Sequence, residues 1–124
     1  MEVFRIAAVS PGAAPLAEAL SLDRLPEWCD EITAVRPDGP DSGEMDCLWG
    51  VFAVRREAIT GGVRFSLPGC PNALQVTITT GFEPAPESVV VHCTINRTDP
   101  DPDFAESVAD FTDAWARGLE RGLA

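Results

Sequence analysis

Residues 100–123 read PDPDFAESVADFTDAWARGLERGL, and the reading of this stretch decides the fold. Pro100, Asp101, Pro102 and Asp103 carry the chemistry of a helix start. They offer a capping carboxylate, a proline whose missing N–H costs nothing in the first turn, and negative charge at the positive end of the helix dipole. Phe104, Val108, Phe111, Trp115 and Leu119 then recur at steps of four, three, four and four, a continuous apolar stripe over about four turns. Arg117 and Arg121 fall near the end, where cations suit the dipole, and Gly122 is the expected stop. The spacing predicts a long helix over 103–123 with one face that has to be covered.

The surface that covers it lies upstream. From Cys47 onward the period changes to two, and residues 47–56, 62–67, 73–80 and 88–97 read as strands separated by turn chemistry: Gly61-Gly62, then Pro68-Gly69-Cys70-Pro71-Asn72, then Gly81 with Pro84 and Pro86. Leu74, Val76 and Ile78 share one face and Gln75, Thr77 and Thr79 the other. Val89, Val91, Cys93 and Ile95 likewise oppose Val90, His92, Thr94 and Asn96. This alternation predicts an antiparallel sheet, dry on one side and polar on the other. Residues 47–54 are apolar on both sides, which suits a central strand or one where the sheet curls over itself.

Before the meander, residues 2–9 read as a strand, broken at Ser10-Pro11-Gly12. Residues 13–22, with Leu16 and Leu20 four apart, predict a short helix, and Asp23 is the expected cap of a second over 24–30 with Leu25 and Trp28 on one side. Residues 32–36 read as a short strand, and residues 37–43, rich in proline and glycine, as the longest loop. The expected total is about six strands, two short N-terminal helices and one long C-terminal helix: an α+β fold whose curved antiparallel sheet receives the last helix on its apolar face.

With 124 residues, 45% of them hydrophobic, the chain fits one domain spanning 1–124. Nine arginines and no lysine stand against twenty carboxylates, a formal charge of -11, which argues against nucleic acid as a partner because phosphates are neutralised by clustered cations. No apolar run is long enough to cross a bilayer. The first residues carry no basic segment followed by an apolar block, so a cytoplasmic location is expected. Cys29, Cys47, Cys70 and Cys93 are spaced 18, 23 and 23 apart with no Cys-x-x-Cys, a pattern of structural thiols; no metal site and no cofactor are expected.

The order of elements resembles the START-like, or SRPBCC, helix-grip superfamily over nearly the whole chain. The stretch LPEWCDEITAVR, Leu25 to Arg36, looks like that superfamily's second helix leading into its second strand, and residues 103–123 are similar to the helix that its sheet grips. Six strands stand where the family usually shows seven. The resemblance implies a cavity between sheet and helix that takes hydrophobic small molecules or lipids or serves polyketide cyclisation; it carries over no catalytic residue.

His92, the sole histidine, falls on the polar face, where an exposed sheet residue competes with an acid–base role. Arg55, Arg56 and Arg64 form either a cationic spot for a ligand carboxylate or ordinary surface ion pairs. Asp99, Asp101 and Asp103 alternate as in a calcium loop, but Pro100, Pro102 and the missing glycine favour helix capping. If a pocket exists, its expected lining is Trp49, Phe65, Val91, Cys93, Phe111 and Trp115. The function expected is binding of a small hydrophobic or amphipathic ligand. A protein–protein or homodimer module and a cyclase- or dehydratase-type enzyme are the alternatives.

Overall fold

β-branched residues at alternate positions pack well on a pleated surface, and the two strands richest in them, Gln75–Thr80 and Val89–Thr94, lie side by side near one end of the sheet. The computed structural model describes residues 1–123. Its elements in chain order are β1 (Glu2–Ala7), α1 (Ala13–Ala19), a 3-10 turn (Leu22–Arg24), α2 (Leu25–Trp28), β2 (Ile32–Pro37), β3 (Ser42–Cys47), β4 (Gly50–Ile59), β5 (Gly62–Ser66), β6 (Gln75–Thr80), β7 (Val89–Thr94) and α3 (Pro102–Leu123). The strands form one antiparallel sheet in the order β1-β7-β6-β5-β4-β3-β2.

Seven strands replace the expected six. Of the 37–43 loop only residues 38–41 remain irregular, because Pro37 closes β2 and Ser42 and Gly43 open β3. β3 holds Gly43, Glu44 and Asp46 and only one buried residue, Met45, so its composition does not announce a strand. Pairing on both sides makes it one: Met45 stands opposite Val35 on β2 and Phe52 on β4. On the outer face Arg36 bridges Glu44 at 2.8 Å and Asp46 at 2.6 Å. The stretch 47–56 is accordingly not a single strand. It begins as the end of β3, turns at Leu48 and Trp49, and resumes as β4.

The sheet is curved, and α3 lies on its inner face. Val3, Ala7, Val54, Val63, Phe65, Val76, Ile78, Val89, Val91 and Cys93 from the strands are buried with Val108, Phe111, Trp115 and Leu119 from the helix. Asp101 caps α3: its Oδ1 accepts the Asp103 N–H at 2.9 Å. Asp23 caps nothing and lies within the 3-10 turn, with Arg24 in the capping position of α2.

Gly122 does not end α3, which runs to Leu123. Gly118 and Gly122 instead form a bare strip against α2. A Cβ at Gly118 would stand 1.9 Å from the Trp28 carbonyl oxygen, and one at Gly122 would stand 2.2 Å from the Trp28 ring. These glycines let two helices approach more closely than any side chain permits.

Candidate binding site

Side chains of the sheet's inner face meet α3 along a ladder of aromatic rings. Trp49, in the β3–β4 turn, packs on Phe104 with ring centroids 5.8 Å apart and on Phe111 at 4.9 Å. One turn further along α3, Trp115 lies nearly parallel to Phe65 of β5, centroids 5.7 Å apart. Trp49 Nε1 donates to Ser107 Oγ at 3.0 Å, and that hydroxyl donates to the Phe104 carbonyl at 2.7 Å, so the turn is tied to the first turns of the helix. The interface between sheet and helix is therefore filled along most of its length, as interiors generally are.

It opens at one end. A cleft of ≈ 120 Å³ lies between the β3–β4 turn, the β5–β6 loop and the start of α3, with walls that include Trp49, Phe52, Leu67, Leu74 and Phe104 and with Cys70 and Asn72 at the loop. The walls are apolar because Phe52 is directed inward from β4, Phe104 begins the helix stripe, and the turn and loop at this end contribute Trp49, Leu67 and Leu74. Larger hollows lie elsewhere. One of ≈ 430 Å³ is bounded by Ala17, Leu22, Pro37 and Arg56, and one of ≈ 500 Å³ by Asp41, Arg55, Glu57 and Ser66. Neither is lined by α3.

Of the residues singled out from the sequence, Trp49 lines the cleft. Phe65, Val91, Cys93, Phe111 and Trp115 are buried behind it in the core. Phe52, Leu67, Leu74 and Phe104 are not among them; periodicity directs Leu74 and Phe104 inward, but only the folded chain brings them together at an opening. Cys93 faces inward beside α3, and burial pushes its thiol up to about 12; burial raises Cys29 equally, to about 12. All four cysteines are free thiols.

The polar candidates lie outside this interface. His92 is on the outer face, opposite Thr77, with its ring stacked on Phe4 at 4.0 Å and its Nε2 3.0 Å from Glu2 Oε2. It shares no space with Cys93, its neighbour in sequence. Arg56 does more than pair at the surface: it bridges the exposed Asp41 at 3.5 Å, and its side chain, only 16% exposed, also donates to the carbonyls of Leu20 and Ala17 at 2.8 Å each and holds the C-terminal end of α1. Arg64 pairs with Glu57 at 3.2 Å. Near the α2–β2 junction, burial raises the Glu31 carboxyl, with the charge of Asp110 adding to the effect.

The antiparallel sheet closed around its last helix is a START-like, helix-grip fold. Solved structures share it. A START superfamily protein from Mycobacterium smegmatis superposes with a TM-score of 0.67 at 16% identity, over 98% of this chain and 96% of its own. The protein XoxI from Bacillus cereus gives 0.64 at 12% identity, over 99% and 94%. A Deinococcus radiodurans protein gives 0.58 at 18%, over 99% and 100%. By sequence the chain matches no family model and no curated protein. Among the described residues no helix is long and apolar enough to cross a membrane.

Proposed function

We propose that this protein binds a small apolar or amphipathic molecule at the open end of its sheet–helix interface. The observation that carries the reading is the ≈ 120 Å³ cleft walled by Trp49, Phe52, Leu67, Leu74 and Phe104, set where a START-like sheet and its last helix part. An apolar cavity of about 150 Å³ holds benzene, so the cleft as it stands suits a fragment of one ring. Ligand pockets are usually about 300–1,000 Å³, and a larger guest is admitted by displacing Trp49. That ring is held by tilted packing on Phe104 and Phe111 and by its bond to Ser107, and such a bond contributes only about 1 kcal/mol net. Trp49 is thus the movable wall.

The test is an NMR titration of the intact chain with isopropylbenzene, accompanied by native mass spectrometry of freshly purified protein for a molecule carried from the cell. Saturable shifts concentrated on Trp49, Leu74 and Phe104, weakened in Trp49→Ala, are expected. Absence of saturable shifts up to the probe's solubility, or shifts scattered over the outer face, overturns the reading.

A further inference from the structure

Three indole N–H groups lie in this chain, and two have acceptors: Trp28 Nε1 donates to the Ala19 carbonyl at 2.8 Å and Trp49 Nε1 to Ser107. The third, on the most deeply buried of the three rings, has none. Trp115 is 1% exposed and its Nε1 has no partner among the described residues. The nearby core hydroxyl behaves otherwise, since Thr112 donates to the Val108 carbonyl at 2.7 Å. A buried donor left unpaired is costly, and phenylalanine would fill an apolar core without that cost. Trp115 lies one helical turn beyond Phe111, whose ring packs against Trp49 at the cleft. Trp115 therefore stands one turn deeper along the helix stripe than Phe111, behind the opening at Trp49.

We propose that Trp115 Nε1 is the polar contact for the bound molecule, which carries a neutral hydrogen-bond acceptor, a carbonyl or ether oxygen, on the end that enters first and leaves its apolar body in the cleft. This rests on the binding reading above. An ionised acceptor does not suit the position. The two arginines that point inward from the sheet are already engaged, Arg56 with the end of α1 and Arg5 with Asp113, so a carboxylate here would be buried without a cation.

Acetophenone and isopropylbenzene, near-isosteres that differ in whether an oxygen is present, test this by NMR on the intact protein. The Trp115 indole proton, assigned through its proximity to Phe65, is expected to move downfield on saturation with acetophenone and not with isopropylbenzene. In Trp115→Phe the preference for acetophenone over isopropylbenzene is expected to fall about tenfold relative to the unaltered protein, the size of one hydrogen bond to a buried donor. If both probes saturate but the indole proton stays put, or the preference is the same in both proteins, the acceptor assignment is overturned while the binding site stands. If neither probe saturates, the binding reading fails and the assignment falls with it. The indole shift is measured on the unaltered chain, so the result does not depend on the variant folding.

Discussion

The backbone of Gly118 lies so close to Trp28 that a Cβ on residue 118 would stand 1.9 Å from the Trp28 carbonyl oxygen. The obstacle is backbone in a short helix whose own indole is bonded to Ala19, so it has little room to give. In an ordinary helix interior, exchanging glycine for alanine gains about 1 kcal/mol. Here the sign reverses: Gly118→Ala is expected to destabilise the fold by about 2 kcal/mol or more, as overpacked cores do. Urea denaturation measures it. An unchanged or raised midpoint would show that α2 and α3 are not in this contact.

Arg56 and Arg64 separate a buried clamp from a surface ion pair. Arg56→Met leaves the Leu20 and Ala17 carbonyls without their charged donor and is expected to cost about 2–3 kcal/mol. Arg64→Met loses only its pairing with a largely exposed Glu57, and is expected to stay within about 0.5 kcal/mol. Equal losses from the two variants, read from denaturation midpoints, would contradict the clamp.

The thiols of Cys29 and Cys93 provide a test of pH dependence. Burial raises both from 9.0 to about 12 in the folded chain, so the folded state holds protons that the unfolded chain gives up. Stability from these groups is complete below about pH 9 and is lost as pH rises toward 12, with a limiting slope of about 2.7 kcal/mol per pH unit for two thiols. A Cys29→Ala, Cys93→Ala double variant flattens that decline. At pH 8 iodoacetamide is expected to leave both residues unlabelled until denaturant is added, and mass spectrometry of the digested protein reads the outcome. Rapid labelling of Cys93 in the native state would mean that the inner face is open to solvent.

Ser107→Ala removes the acceptor that holds Trp49 over the cleft. The expected loss of stability is about 1 kcal/mol. The on-rate of isopropylbenzene, followed by the quenching of tryptophan fluorescence, should rise several-fold because the wall moves more freely. An unchanged rate with an intact fold would show that Trp49 does not limit entry.

The last helix, the one-sided strands β6 and β7 and the order of elements were legible because each depends on periodicity within a short stretch, as in the run Val108, Phe111, Trp115 or the alternation Val76, Thr77, Ile78. β3 was not, since Glu44 and Asp46 are poor strand formers until Arg36 stands beside them on β2. The sequence places Trp49 in mid-strand because Cys47, Leu48 and Val51 carry the apolar pattern through the turn. Gly122 reads as a stop by its type alone; its neighbour is a tryptophan ring nearly a hundred residues earlier. Trp49 was singled out for the site by its bulk, while Leu67 and Leu74 reach it only because the β5–β6 loop folds back beside Phe104.

From the chain alone came the partition of its residues into inward and outward sets, because a side chain's direction along a helix or strand follows from a fixed repeat. Tertiary structure alone decided which inward residues meet one another, that the interface closes around Phe65 and Trp115 yet opens at Trp49, and that one buried indole has no acceptor among the described residues. Those are properties of distances between segments far apart in sequence, and no local repeat encodes them.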